Sequence, residues 1–233
     1  LFGFSLCADL PLCVGRRLVR WHGVQDFAGG SVAHITADVA ALIAATLMGG
    51  RSFGSRPMPL HNLAMTVIGA PLLWVGWFYF NSGSAVAVGS SAAMAMMLTH
   101  FSATCGSWAW MAMEWLCYRK LSVLGVLTGM VAGLDTITPA SGSVGPAGAV
   151  VIGLSAGVIC YFATITLKNW LNTDDSLDVF PVHRVGGMLG LGMAGIFCSP
   201  TMGTFSGNGF SDGVSTIGGQ LRLQLTGVTA TFS

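Results

Sequence analysis

The chain consists mainly of long apolar stretches separated by short polar segments. Between Pro57 and Met113 there is no Asp, Glu, Lys or Arg, which leaves room for two membrane spans of about 20 residues each. These stretches do not alternate between apolar and polar positions, as the strands of a membrane barrel would. The pattern therefore predicts an all-α integral membrane protein that crosses the bilayer several times.

Polar and glycine-rich breaks predict where the membrane helices begin and end. The first predicted span begins at Asp26 and ends near Met48. The seventh begins near Gly218 and continues towards the C-terminus. The five spans between them are predicted at residues 60–85, 89–117, 121–138, 144–167 and 179–198.

Composition strengthens this assignment and excludes other classes. Hydrophobic residues make up 53% of the chain and charged residues 8%, whereas soluble domains carry about a quarter charged residues. The 33 glycines suit membrane helices that approach closely. The net charge of +1 and the absence of a basic patch exclude a nucleic-acid partner. No nucleophile–base pair, phosphate loop or metal-binding spacing is present, so we expect no enzyme activity, no cofactor and no metal.

Charges in the loops predict the orientation in the membrane. If the helices alternate in direction, five cationic residues fall on one side, which the positive-inside rule makes cytoplasmic: Arg51, Arg56, Arg119, Lys120 and Lys168. Asp26 then opens towards the outside. Three arginines within residues 1–25 would lie outside, against the rule. We interpret residues 1–25 as an atypical segment, either the tail of a preceding membrane helix or mistranslated, and residues 26–233 as the membrane domain.

Two histidines are the main candidates for chemistry. His34 lies about two helical turns beyond Asp26, and an ionisable side chain inside a membrane by default indicates a path for an ion or a proton. A histidine that only packs between helices is the alternative. His183 follows Asp178, which is well placed to cap the start of the sixth span. Two imidazoles that met in an apolar conduit could pass a proton between them.

Aromatic residues gather at the outer end of the second span, from Trp77 to Ser84. Aromatic faces attract cations, and the Ser84 hydroxyl could accept a hydrogen bond from an ammonium-type donor. The alternative is an ordinary aromatic belt at the membrane interface.

Several motifs, in this order, resemble those of the ammonium transporter family (Amt/Mep/Rh). They are Asp26–Gly30 with His34, Pro59–Leu63, Gly76–Phe78, Phe80–Ser84, Thr138–Ala140, and Asp174–Asp175 with Asp178–Phe180 and His183. The resemblance implies an eleven-helix bundle of two inverted five-helix repeats, assembled as a homotrimer with one pore per subunit. This chain would then be a fragment that holds the fifth to the eleventh helix.

The resemblance also implies roles for individual residues. His34 and His183 match the paired pore histidines, and Phe80 matches part of the phenylalanine gate. Trp77 and Ser84 match the outer ammonium site, where Asp26 orders the backbone and supports recruitment of the cation. The implied mechanism is recruitment of ammonium outside, its deprotonation, and passage of neutral ammonia through the apolar pore.

The sequence departs from the family pattern at several places. Val14-Gly15-Arg16-Arg17 stands where the family has a Trp-Gly-Gly-Gly run, which favours a sequencing or gene-model error there. Pro181 and Arg184 replace glycines around the second histidine. Arg184 would repel ammonium and perturb the pore, unless it extends away from the pore or pairs with Asp178. Asp38 and Asp135 are unusual acidic residues inside or near helices.

These observations predict an ammonium transporter or channel of the cell membrane that serves nitrogen uptake. Ammonium or ammonia, the lipid bilayer, two further copies of the chain and a cytosolic regulatory protein are its expected partners. An ammonium sensor and a non-conducting, truncated remnant of a transporter are the alternatives.

Overall fold

The computed structural model describes residues 23–35, 40, 43, 44, 47, 62–171 and 180–230. Over these residues the regular structure is helical, and there are no strands. The described ranges contain the α-helices α1 Leu63–Gly83, α2 Ser90–Tyr118, α3 Val123–Ile137, α4 Pro146–Leu171, α5 Val185–Phe197 and α6 Ile217–Ala230. They also contain the π-helical segments Gly30–Ile35 and Phe180–Arg184 and the 3₁₀ turn Gly203–Phe205.

The helices agree with the sequence-based spans, with boundaries that differ by a few residues. Within the described ranges, two segments, Leu63–Gly83 and Pro146–Thr166, are long and apolar enough by length and composition to cross a membrane. The sixth predicted span is composite, because the π-helical segment Phe180–Arg184 precedes α5. Proline in this segment lacks the N–H that regular α-helical pairing uses. In the first predicted span, residues 36–39 and most of those from 41 to 48 lie outside the described residues.

Glycines let α2, α3 and α4 pack with their backbones almost in contact. A methyl group added at Gly106 would lie 3.0 Å from the Cα of Gly133. One added at Gly157 would lie 2.9 Å from the backbone nitrogen of Trp110. At the same contact, the Ser102 hydroxyl donates to the carbonyl of Gly133 at 2.8 Å. Such close packing of small residues is how membrane helices associate, and it holds α3 and α4 directly against α2.

Two buried glutamines of α6 hold the segment that leads into the first π-helical segment. Gln224 donates from Nε2 to the Gln25 carbonyl at 2.8 Å and accepts at Oε1 from the Gln25 backbone N–H at 2.9 Å. Gln220 donates to the Gly23 carbonyl at 3.0 Å. Buried polar groups need partners of this kind. The paired bonds therefore fix the position of Asp26, the next residue in the chain.

Candidate functional site

Asp26 organises the turn that carries His34. Its carboxylate accepts hydrogen bonds from the backbone N–H groups of Gly29 at 3.1 Å, Gly30 at 2.6 Å and Ser31 at 2.9 Å. The Ser31 hydroxyl donates to the same carboxylate. These are the N–H groups that a helix start leaves without partners, so Asp26 acts as the cap of the segment Gly30–Ile35.

The first segment is also docked on the C-terminal end of α3. The Phe27 N–H donates to the carbonyl of Pro139 at 2.9 Å. A methyl group added at Gly30 would lie 2.6 Å from Cδ of Pro139, so the Gly30 backbone packs directly against the proline ring, and any side chain at Gly30 would prevent this contact. This contact turns His34 towards α3.

His183 lies far from His34 in the sequence but also contacts α3. It lies in the second π-helical segment, one residue after the buried Val182. Gly186, in the first turn of α5, lets this element approach, because a methyl group there would lie 2.6 Å from Oδ2 of Asp135 and 3.0 Å from Oγ1 of Thr136. Single π-helical turns are rare and are often found at functional sites, and each of the two histidines lies in one. Asp178, the expected cap, lies outside the described residues.

The two imidazoles share one carboxylate oxygen. Nδ1 of His34 lies 2.7 Å and Nδ1 of His183 lies 2.8 Å from Oδ1 of Asp135. The histidine rings stack with their centroids 5.6 Å apart and an interplanar angle of 7°. Asp135 is completely buried. We refer to His34, Asp135 and His183 as the central cluster.

Hydrogen-bond chemistry assigns the protons of the central cluster. A carboxylate oxygen accepts hydrogen bonds, so both Nδ1 atoms carry protons and donate to it. With neutral imidazoles, the cluster then bears one negative charge. The same three side chains could be considered as metal ligands. In this structure, the Nδ1–Oδ1 distances of 2.7 and 2.8 Å are those of hydrogen bonds.

Aromatic rings cover the central cluster on the side of α1. The Trp77 ring stacks on His34 with centroids 5.4 Å apart, and the Phe80 ring meets His34 edge-on at 6.1 Å. The Trp77 indole N–H donates to the hydroxyl of Thr138 at 2.9 Å, which fixes the ring. A mostly apolar cavity of about 480 Å³ adjoins this side, lined by Ala33, His34, Leu72, Leu73, Gly76, Trp77 and Phe80.

Two further residues predicted from the sequence to belong to the site are Ser84 and Arg184. Ser84 is the C-terminal cap residue of α1, and its hydroxyl donates to the carbonyl of Phe80 at 2.8 Å. Arg184 directly follows His183 and is partly exposed.

Two residues of the site were not assigned a role from the sequence. Asp135 is the only acidic residue in the apolar stretch from Leu121 to Leu167, and an isolated ionisable group of this kind is itself a signal of function in a membrane protein. Thr138 belongs to the Thr-Pro-Ala motif, but the sequence does not indicate that its hydroxyl holds Trp77.

Solved structures similar to this one define the class of protein, a helical membrane transporter. Over 91% of this chain and 49% of the other, the structure resembles Saccharomyces cerevisiae Mep2 with a TM-score of 0.75 and 34% identity. A protein described as a sensor Amt protein matches with a TM-score of 0.83 and 28% identity, over 93% of this chain and 53% of the other.

Sequence comparisons show the family. The ammonium transporter family model matches residues 13–233. The chain is 40% identical to an ammonium transporter of Aquifex aeolicus and 36% identical to one of Bacillus subtilis, in each case over 90% of this chain. The chain therefore belongs to the ammonium transporter family, whose members are membrane transporters and not enzymes. It spans about half the length of these relatives, 48% and 51% respectively.

Proposed function

We propose that the chain forms the histidine-bearing half of an ammonium transporter of the cell membrane. The observation that carries this proposal is the stacked pair His34 and His183, brought together by separate elements beneath an aromatic cover. The full protein would assemble as a homotrimer with one conduit per subunit, and a cytosolic regulatory protein would act on it.

Ammonium is recruited at the outer aromatic end of α1. Aromatic faces attract cations where water is excluded, and the rings of Trp77 and Phe80 provide such faces next to His34. Ser84 lies one turn beyond Phe80, and its hydroxyl oxygen can accept a hydrogen bond from ammonium. Asp26 acts indirectly, since it orders the turn that holds His34 in place.

Loss of a proton then lets ammonium cross the pore as neutral ammonia. An unpaired cation is very costly in an apolar medium, whereas its neutral conjugate is not. The lining of the cavity is almost entirely apolar apart from His34, so ammonia is the species that this surface tolerates. Phe80 lines the cavity and is 38% exposed, and its ring acts as the gate.

Methylammonium uptake tests this proposal. Cells that lack their own ammonium transporters would express the longest protein that the gene encodes, which we call the full gene product. We expect saturable uptake, and we expect its loss in His34→Ala and His183→Ala. His100→Ala is the matched control, because His100 is an exposed histidine that stacks on Trp74 with centroids 5.2 Å apart. Equal uptake by all four proteins would contradict the proposal.

An ammonium sensor is the second candidate, favoured by the similarity to the sensor Amt protein. A sensor binds ammonium but transports little of it. Tight binding of ammonium by the purified full gene product, without uptake in cells, would favour the sensor over the transporter.

A further inference from the structure

Asp135 carries a charged side chain beside both histidines, but the mechanism proposed above gives it no role. It is completely buried, and both of its histidine contacts are made through one oxygen, Oδ1. Its second oxygen, Oδ2, is buried without a hydrogen-bond partner, as are Nε2 of His34 and Oγ1 of Thr136. Buried polar atoms are almost always satisfied, so three unsatisfied atoms around one carboxylate call for an explanation.

The net charge of the central cluster explains these unsatisfied atoms. Among the described residues, the ionisable side chains that contact Asp135 include the imidazoles of His34 and His183. Arg184 follows His183 as the cap residue of α5. With both imidazoles neutral, the central cluster carries one negative charge in a buried site. Such a charge is costly unless it is compensated, and one added proton makes the cluster neutral.

We propose that Asp135 makes the central cluster a binding site for the proton that ammonium gives up. This inference rests on the proposed function and names the group that keeps the proton in the conduit. An N–H bond of ammonium breaks, its electron pair stays on nitrogen to give ammonia, and the proton bonds to the unpaired Nε2 of His34. The cluster changes from one negative charge to neutral, and it later returns the proton to ammonia or water on the inner side.

The proton belongs to the cluster as a whole. Both imidazoles bond to the same carboxylate oxygen, so the charge balance is the same whichever atom of the cluster carries the proton. Each substrate molecule that crosses as ammonia is therefore accompanied by one proton, and transport moves net charge. Without the carboxylate, the same histidines would have no fixed charge to balance an imidazolium, and ammonia would cross without the proton.

The test measures charge and substrate together. Proteoliposomes that contain the full gene product are given labelled methylammonium, and current and uptake are recorded on the same preparation. We expect close to one elementary charge per substrate molecule in the unaltered protein. Asp135→Asn keeps the shape of the side chain but removes its charge, so uptake should continue while the charge per substrate falls several-fold. Glu114→Gln is the matched control and should leave the ratio unchanged, because Glu114 holds Ser122 at the surface end of α2.

Other outcomes separate the two proposals. An unchanged ratio in Asp135→Asn would overturn the role of Asp135, and so would a folded variant that loses current and uptake together. Absence of uptake in the unaltered protein would instead refute the proposed function, and the inference would fall with it.

Two measurements on the unaltered protein apply even if Asp135→Asn does not fold. Potassium ions, which cannot be deprotonated, should give no current, whereas a potassium current would mean that intact cations pass and would overturn the inference. Deuterated water should slow the methylammonium current, since a proton is transferred, and an unaffected current would contradict that transfer.

Discussion

Replacing Gly133 by alanine should destabilise the bundle at a crowded backbone contact between α2 and α3. The added methyl group would overlap the carbonyl oxygen of Ser102 and lie 2.8 Å from its carbonyl carbon and 2.9 Å from Cα of Ala103. These are backbone atoms of α2, which cannot rotate away as a side chain would. The contact can therefore be relieved only by separating α2 from α3.

The magnitude follows from two opposing effects. Extra methylene-sized groups in a packed interior cost about 1–3 kcal/mol, and a contact with rigid backbone belongs at the upper end. Alanine recovers up to about 1 kcal/mol because it favours the helix more than glycine does. We therefore expect a net loss of about 2 kcal/mol, which lowers the Tm of the Gly133→Ala protein below that of the unaltered protein.

Gly69 in α1 offers the matched control, because a methyl group there meets no atom within 4 Å in the part of the chain that the structure describes. Gly69→Ala should leave the Tm unchanged or raise it, since only the helix preference remains. The assay is thermal unfolding of the purified full gene product in detergent. A Gly133→Ala protein as stable as Gly69→Ala would refute the close packing of α2 against α3.

Three further substitutions probe the surroundings of the histidines. Asp26→Ala should cost about 1–2 kcal/mol in thermal unfolding through loss of a helix cap, with Asp26→Asn milder; equal stability of all three proteins would rule out the capping role. Trp77→Phe keeps a ring beside His34 but loses the bond to Thr138, so stability should fall by about 1 kcal/mol, and no change would show that bond to be dispensable. Arg184→Gly should raise methylammonium uptake, and unchanged uptake would show that this arginine does not perturb the pore.

Much of the fold could be predicted because membrane helices are recognisable from uninterrupted apolar sequence. The stretch without charged residues from Pro57 to Met113 contains α1 and most of α2, as expected. The glycine-rich composition likewise indicated close helix contacts, and the pairing of Gly106 with Gly133 is one of them. These features depend on residues that are close together in the chain, so they can be predicted from the sequence alone.

The central cluster could be predicted only in part, because it depends on how separate elements face one another. Both histidines were identified as ionisable groups in apolar helices. Asp135 was noticed as unusual, but its contact with both imidazoles depends on the rotation of α3 relative to two π-helical segments far apart in sequence. The same reason applies to Trp77, whose ring lies against the histidine pair and not simply among the aromatics at the end of α1.

The central claim is that both imidazoles donate to one carboxylate of Asp135. Solid-state NMR of the full gene product, with ¹³C in the aspartate carboxyl carbons and ¹⁵N in the histidine rings, measures this directly through carbon–nitrogen dipolar couplings. The account predicts that the Asp135 carbon couples to Nδ1 of both His34 and His183, with one coupling lost in each of His34→Gln and His183→Gln. A carboxyl carbon coupled to neither ring, or to one alone, would contradict it.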